Sequence, residues 1–161
     1  MAEPIRVAQM MTDMNYGGVE MVVMNYYRHI DRTKVQFDFF ALEGSAIPQR
    51  EEIEQLGGRV YIVPKYTHLL AYEKEIIRLF KQNQYKIVHS HMNTLSVFPL
   101  FAAWMCRIPV RVAHNHSVPS GKEKKRDALK YFLRAFAKFF PTHYFACSEK
   151  AGRWMWGDRC Y

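Results

Sequence analysis

Four of the seven histidines of this chain stand in two similar groups, His89-Ser90-His91 and His114-Asn115-His116. Each group lies at the end of a short apolar segment that is typical of a buried strand. Imidazoles hydrogen-bond to hydroxyls and phosphates, and they are also common zinc ligands. No cysteine or carboxylate accompanies them at metal-ligand spacing, so we interpret them as hydrogen-bonding groups of a polar crevice and expect no metal. For either pair alone, a turn with one packed and one solvated ring is the alternative.

The second chemical feature is a glycine pair, Gly17-Gly18, between an apolar run and an amphipathic repeat. The run covers residues 5–11 and has strand length, whereas residues 19–30 carry apolar side chains at i, i+3, i+4, i+7, i+8 and i+11. The free N–H groups and the dipole of a helix N-terminus favour phosphate, and glycine lets a ligand approach the backbone. The glycine pair before this helix therefore indicates an anion site. The alternative is that the turn needs two glycines for steric reasons only.

Strand-like and helix-like segments alternate along the chain. We predict strands at 5–11, 35–41, 59–63, 87–91, 110–114 and 143–146, and helices at 19–30, 49–56, 72–83, 95–106, 124–140 and 149–156. Ser148 is the expected N-cap of the last helix. This alternation predicts an α/β fold, a Rossmann-like parallel sheet with helices on both faces, in a single domain over residues 1–161. In such sheets ligands bind beyond the carboxyl ends of the strands.

Composition narrows the class of partner. The formal charge of +8 and the isoelectric point near 9.5 favour an anionic partner, namely a nucleotide, a nucleic acid or a lipid surface. We expect no nucleic acid, because no helix-turn-helix, zinc-finger or RNP motif is visible. No apolar stretch has the length of a membrane span, and the start lacks a signal-peptide layout. The three cysteines, Cys106, Cys147 and Cys160, have no metal spacing, so we expect reduced thiols and a cytoplasmic location.

A strongly basic helix is predicted at 124–140. Its opposite face carries an apolar stripe that we expect to pack on the core, made of Leu129, Phe132, Leu133, Phe136 and Phe140. The basic side chains at i+4 steps are Arg126, Lys130, Arg134 and Lys138, preceded by Lys122, Lys124 and Lys125. Such a face is either solvated or bound to anionic lipid, where each basic residue contributes about 1 kcal/mol. On the second interpretation the four side chains face a membrane, and the protein is peripheral at the inner face of the plasma membrane.

Four motifs resemble one known family when taken in order. The segments 15–20 (Asn-Tyr-Gly-Gly-Val-Glu) and 25–29 (Asn-Tyr-Tyr-Arg-His) resemble the glycine-rich first loop and helix of family-4 glycosyltransferases. Segments 88–91 (Val-His-Ser-His), 113–117 (Ala-His-Asn-His-Ser) and 145–152 (Phe-Ala-Cys-Ser-Glu-Lys-Ala-Gly) match the same family. The likeness covers essentially the whole chain and is strongest for capsular and exopolysaccharide members.

The resemblance implies the GT-B architecture, in which two Rossmann-like domains face each other across a cleft. The chain is similar to the N-terminal, acceptor-side domain, and the donor-binding C-terminal domain is expected to lie outside it, leaving this fragment inactive alone. The implied reaction is retaining transfer of a hexosyl unit from a sugar nucleotide to a glycan or polyprenyl-linked acceptor in surface polysaccharide synthesis. A free-standing nucleotide- or phosphate-binding module without catalysis is the alternative.

The same resemblance assigns roles to residues. It implies that Gly17 and Gly18 approach the donor diphosphate, and that His91 reaches the transferred sugar as the catalytic residue. It implies no metal and no cofactor besides the sugar-nucleotide substrate. The remaining matched positions are expected to line the acceptor side of the cleft: Asn15, Tyr16, His89, Asn93, His114, His116, Ser148 and Glu149.

Overall fold

The computed structural model describes residues 3–119, 121 and 124–158. The strands are β1 (Ile5–Met10), β2 (Val35–Leu42), β3 (Arg59–Val63), β4 (Ile87–Ser90), β5 (Val110–Asn115) and β6 (His143–Ala146). The helices are α1 (Gly18–His29), α2 (Arg50–Gln55), α3 (Leu69–Asn83), α4 (Val97–Met105), α5 (Lys124–Arg134) and α6 (Glu149–Trp156). Short 3₁₀ turns at Tyr66–His68 and Asn93–Ser96 precede α3 and α4. The predicted Lys122 and Cys160 lie outside the described residues.

All strand pairs are parallel, and the strand order is β3-β2-β1-β4-β5-β6. The order reverses beside β1, because the chain leaves β3 at one edge and returns to the middle as β4. Such a reversal opens a crevice between the two halves at the carboxyl ends of the strands. The predicted Rossmann-like α/β fold is confirmed.

The two faces of the sheet carry separate cores, as alternation along β2 illustrates. Phe39 packs on α1, where Tyr27 is fully buried, whereas Phe40 belongs to the opposite core with Phe80 of α3. Successive strand residues point to opposite faces, so two adjacent phenylalanines serve two layers. Helices therefore cover both faces, as predicted.

The helix α5 is shorter than the sequence predicted. It ends at Arg134, and residues 135–139 form turns in which backbone N–H groups bond to carbonyls three residues earlier. Pro141 disfavours the α conformation at the preceding residue, and β6 begins two residues later, so the last turns tighten. The apolar stripe was also only partly correct: Leu133 is buried, whereas Phe132 is 63% exposed. No helix within the described residues is long and apolar enough to cross a bilayer.

Candidate functional site

Strand register brings four histidines and one glutamine to the same face of the sheet. Gln9 of β1 lies opposite His89 of β4, and residues opposite each other in a sheet share a face. Alternation places His91 on this face as well, and the register between β4 and β5 adds His114 and His116. This is the face that α1 covers. We call the four histidines the histidine cluster.

The rings of the histidine cluster are in direct contact. His89 Nε2 lies 3.1 Å from His114 Nδ1, and His91 Nδ1 lies 2.9 Å from His116 Nε2. The ring centroids of His89 and His91 are 4.1 Å apart, and those of His114 and His116 are 4.0 Å apart. The structure thus brings together the two groups that the sequence singled out.

His91 is the most buried of these rings, with 6% of its surface exposed. Its Nε2 lies 2.9 Å from Gln9 Oε1, so Nε2–H donates to the amide oxygen. Its Nδ1 is then an acceptor and receives the Nε2–H of His116. With these donors assigned, Nδ1 of His116 is an acceptor at the outer end of the row of hydrogen bonds from His116 through His91 to Gln9. Sequence reasoning missed Gln9, although a glutamine inside an apolar strand is itself a signal.

Burial keeps the histidine cluster uncharged at neutral pH. Burial and the neighbouring imidazoles lower the pKa of His89 to about 3 and the pKa of His114 to about 4. The same causes hold the pKa of His91 well below its ordinary value, and burial lowers the pKa of His116. The cluster therefore offers hydrogen bonds rather than positive charge.

Three rings of the cluster stand close enough to share a metal ion. One ring nitrogen from each of His89, His91 and His114 lies within 4.8 Å of the others, and neutral imidazole is the form that binds zinc. However, both ring nitrogens of His91 already form hydrogen bonds, with Gln9 and His116. A metal would have to break one of these bonds. That no metal is required stays a prediction.

A cavity of about 640 Å³ opens beside the outer rings of the cluster. His114 and His116 line it, together with Val22 and Tyr26 of α1 and residues 144–147 at the end of β6. Val22 lies about one helical turn after Gly18, so the start of α1 and the histidine cluster border the same space. We call this space the histidine cavity.

The glycine corner precedes that turn of α1. Gly17 is the N-cap residue, and a Cβ atom at Gly18 would meet no other atom within 4 Å. The backbone at Gly18 is therefore open to a ligand. A Cβ atom at Gly17 would collide with the carboxylate of Glu20, whose residue is 7% exposed. The predicted anion site thus has one negative charge of the chain beside it.

Two of the predicted cleft residues tie loops together. Asn15 Oδ1 accepts the backbone N–H of Ala46, whereas Tyr16 beside it is 81% exposed. Asn93 Oδ1 accepts the backbone N–H of His116 at 2.7 Å, which joins the tip of β4 to the tip of β5.

The other two predicted cleft residues serve the helix that they begin. Ser148 accepts the backbone N–H of Ala151 through its hydroxyl, which confirms it as the N-cap of α6. Glu149 forms an ion pair with Arg153 one turn later. Neither contact reaches the histidine cluster.

A second cavity, of about 450 Å³, lies at the same edge of the sheet and is bordered by α5 and the segments after β1, β3, β4 and β5. Its cationic side chains are those of Lys65, Arg126 and Lys130. Asp13 is the sole carboxylate among the lining residues that the structure describes. Asn93 also lines this space, which we call the basic cavity. Sequence reasoning missed Lys65 and assigned Arg126 and Lys130 only to a membrane-facing surface.

The surface formed by α5 and the turns that follow it is aromatic as well as basic. The rings of Phe132, Phe136 and Phe139 contact one another in sequence, with centroid separations of 5.3 and 6.0 Å, and we call them the aromatic patch. They are 63%, 39% and 68% exposed, respectively. The guanidinium of Arg134 lies 5.4 Å from the ring centroid of Trp154.

This sheet order, with a glycine corner after the first strand and polar strand tips, defines a Rossmann-like domain, the kind of domain from which GT-B proteins are built. Crystal structures of Anabaena Alr3699/HepE in complex with UDP and with UDP-glucose share the fold, each with a TM-score of 0.70 and 14% identity. Each match covers 94% of this chain and 40% of the other. Acinetobacter baumannii MurG matches with a TM-score of 0.66 and 12% identity, over 92% of this chain and 42% of MurG.

The chain belongs to Glycosyltransferase Family 4, whose model matches residues 16–158. EpsF of Bacillus subtilis (strain 168), which is named as a glycosyltransferase, is 34% identical over 158 residues, covering 95% of this chain and 41% of EpsF. CapH of Staphylococcus aureus, a capsular polysaccharide biosynthesis glycosyltransferase, is 24% identical over 152 residues, covering 92% and 42%. The chain thus spans about two fifths of the length of these relatives. The resemblance inferred from the motifs is confirmed.

Proposed function

We propose that this chain is the acceptor-side domain of a sugar-nucleotide-dependent glycosyltransferase of surface polysaccharide synthesis. The observation that carries the proposal is the family match over residues 16–158. The name of CapH supports the polysaccharide, and the UDP and UDP-glucose complexes of HepE support a sugar nucleotide as donor. The proposed reaction is retaining transfer of a hexosyl unit to a glycan or lipid-linked acceptor, with no metal or cofactor.

The start of α1 is the proposed contact for the donor diphosphate. The backbone at Gly18 is sterically open, and the first N–H groups of a helix favour phosphate oxygens. Val22, about one turn later, lines the histidine cavity. A diphosphate held at Gly18 would therefore leave its sugar beside His114 and His116. The volume of the histidine cavity, about 640 Å³, lies in the usual range for small-molecule sites.

The histidine cluster is the proposed contact for the transferred sugar. Neutral imidazoles bond to hydroxyls as donors or acceptors. These rings are oriented in advance, because His91 donates a hydrogen bond to Gln9 and His116 donates one to His91. Groups fixed before the reaction stabilise a transition state without the cost of reorganisation. We propose that His91 and His116 act on the sugar as one hydrogen-bonded unit.

A chimaera with EpsF tests the proposal. Residues 1–161 replace the segment of EpsF that they match, and transfer of radiolabelled sugar from UDP-glucose and other sugar nucleotides to glycan and lipid extracts is measured. We expect transfer by the chimaera and none by residues 1–161 alone. Transfer at an equal rate by residues 1–161 would contradict the assignment to one domain of a two-domain enzyme. Binding of sugar nucleotides without transfer by the chimaera would favour the alternative binding module.

We also propose that the surface formed by α5 and the turns that follow it contacts anionic lipid at the cytoplasmic face of a membrane. The aromatic patch is exposed beside basic side chains, including Arg134 and Lys138. Aromatic rings insert into the interface between lipid and water, and basic side chains are attracted to anionic headgroups. Such a surface would suit an acceptor that is linked to a lipid.

A further inference from the structure

Gln9 is a buried amide in an otherwise apolar part of β1. The residue is 2% exposed, and its neighbours Ala8 and Met10 are buried in the core on the opposite face of the sheet. Burying an amide costs free energy unless its polar atoms are hydrogen-bonded. Gln9 Oε1 accepts the Nε2–H of His91, so the amide is placed to hold a ring of the histidine cluster.

The direction of the hydrogen bonds beyond His91 follows from this contact. A neutral imidazole has one N–H and one bare nitrogen, so a proton held on Nε2 of His91 leaves its Nδ1 as an acceptor. This Nδ1 lies 2.9 Å from His116 Nε2, which must then carry the proton and donate. His116 in turn keeps a bare Nδ1. If the amide presented its NH₂ group to His91 instead, both rings would be reversed and His116 would present an N–H.

His116 is the ring through which this row reaches a ligand. It is half-buried and lines the histidine cavity, whereas His91 is not among the described lining residues. In the part of the chain that the structure describes, no hydrogen bond reaches Nδ1 of His116, since the other polar atoms of the residue make its contacts. A bare imidazole nitrogen accepts a hydrogen bond from a hydroxyl, and a sugar carries several hydroxyls.

We propose that Gln9 is a positioning residue that sets His116 to accept a hydrogen bond from a hydroxyl of the transferred sugar. This inference rests on the proposed function, because it names the contact that the histidine cluster makes with the sugar. Burial lowers the pKa of both His91 and His116, so each ring keeps one bare nitrogen at neutral pH.

The tautomers of the two rings test the direction of the row without any ligand. Nitrogen NMR of isotope-labelled histidines in residues 1–161 distinguishes protonated from bare ring nitrogens. At neutral pH we expect His91 and His116 each to carry the proton on Nε2. In Gln9→Leu nothing accepts the Nε2–H of His91, so the fraction of both rings in this tautomer should fall. A proton on Nδ1 of His91 in the unaltered chain, or unchanged tautomers in Gln9→Leu, would overturn the proposal.

Kinetics of the EpsF chimaera test the effect on transfer. Gln9→Leu is expected to lower kcat about tenfold with little change in the KM for UDP-glucose, because His116 is no longer oriented while the backbone at Gly18 is unaltered. Gln36→Leu is the matched control, since Gln36 is also a buried strand glutamine whose Oε1 accepts a hydrogen bond, here from Tyr27, and it lies outside the cavity lining. It should lower the free energy of unfolding and leave kcat unchanged. An equal decrease in kcat in both variants would assign Gln9 a structural role.

Gln9→Glu is a rescue whose pH dependence a structural role would not produce. A carboxylate accepts the Nε2–H of His91 as the amide oxygen does, so at alkaline pH kcat should approach that of the unaltered chimaera. The carboxylate also raises the pKa of His91. Burial and the neighbouring imidazoles oppose this rise, namely those of His89, His114 and His116. As the pH falls, His91 gains a second proton on Nδ1, the row reverses, and kcat should decrease. No recovery at alkaline pH contradicts the proposal.

Deoxy analogues of UDP-glucose test the contact with the sugar. At one position, removal of the hydroxyl should lower kcat about tenfold in the unaltered chimaera and much less in Gln9→Leu, because the acceptor for that hydroxyl is already lost. Equal losses in both at every position would refute the contact. Failure of this test or of the NMR test leaves the proposed glycosyl transfer intact if the chimaera transfers sugar. A chimaera that transfers nothing, with the expected tautomers, would refute the proposed function and with it the contact to the sugar.

Discussion

The histidine cavity and the basic cavity lie at the same edge of one sheet but are built in opposite ways. The first takes its polar groups from the strands and their ends, and those groups are buried or half-buried, neutral and bonded to one another. The second takes its charges from a loop and a helix, as exposed Lys65 and Arg126 illustrate. Buried hydrogen-bond networks hold a fixed geometry, whereas exposed charges attract over a distance and are screened by salt. The polar groups of the histidine cavity are therefore held in position before a ligand binds, whereas those of the basic cavity are not.

Removal of His91 is expected to have the largest effect. In the EpsF chimaera, His91→Ala should lower kcat by about 10²–10³-fold, because His116 loses the hydrogen-bond partner that orients its ring beside the proposed position of the transferred sugar. Steady-state kinetics with saturating UDP-glucose measures this, and urea unfolding verifies that the fold survives. His68→Ala, at an exposed turn, is the control. A decrease below threefold would make His91 a structural residue.

Removal of the aromatic patch should have the next largest effect, and it should affect lipid binding alone. Phe132→Ser with Phe136→Ser is expected to weaken sedimentation with phosphatidylserine vesicles by about 2 kcal/mol or more, because two large apolar side chains no longer insert. Binding by the unaltered chain should also fall as salt rises. Leu70→Ser is the control, since Leu70 is 88% exposed on another helix. Equal vesicle binding by the double variant would leave the patch as a solvated face.

Acid should destabilise the fold through the histidine cluster. Burial lowers the pKa of His89 to about 3, whereas imidazole in an unfolded chain has a pKa near 6.5. The unfolded state therefore binds more protons between these values, so the stabilisation is present above pH 6.5 and is lost as the pH falls. From pH 7 to pH 5 the free energy of unfolding in urea should decrease by about 2 kcal/mol from His89.

Between pH 5 and pH 7, Glu73 changes the free energy of unfolding in the opposite direction to His89. The effect of His89 is therefore measured in a variant that lacks this carboxylate. Burial raises the pKa of the Glu73 carboxyl to about 7, so the folded state holds a proton that the unfolded chain loses, and stability falls as the pH rises. In a Glu73→Gln background, we expect His89→Gln to make stability depend less steeply on pH between 5 and 7, the remaining slope coming from the other three histidines. An unchanged slope would show that the folded protein does not hold His89 neutral.

The smallest expected effect concerns the charge beside the glycine corner. Glu20→Gln removes a carboxylate that lies against Gly17, so UDP-glucose should bind the chimaera a few-fold more tightly. Glu51→Gln, on an exposed part of α2, is expected to leave the affinity unchanged in calorimetry. Weaker binding in Glu20→Gln would mean that this carboxylate helps to hold the corner or the ligand.

The sequence predicted the helices and strands and their order, because apolar residues recur at a helix or strand period in most of them. Gly17-Gly18 and Ser148 were placed correctly at helix starts, since both are set by local chemistry. The end of α5 was predicted wrongly, because the periodic pattern continues through Phe136 while the backbone must tighten before Pro141. Periodicity also could not tell that Phe132 faces solvent, which depends on what the neighbouring elements leave uncovered.

The sequence predicted where the candidate site lies but not which of its residues hydrogen-bond to one another. Strand-tip reasoning selected His91 and His116, because parallel strands end at one edge. The partner of His91, Gln9, lies 82 residues away, and only the register of β1 against β4 makes the two neighbours. The role of Lys65 in the basic cavity depends on a loop path, for which the sequence contains no period.

Gln9 of β1 and the histidines at the ends of β4 and β5 also determine which changes of length the domain tolerates. A single residue inserted into β4 would turn His89 and His91 to the opposite face and remove both from Gln9 and β5 at once. An insertion after β3 would only alter the wall that carries Lys65, because loops accept added length at little cost. The wall of the basic cavity can therefore vary through insertions and deletions in a loop, whereas the contacts among the histidines require strands of fixed length.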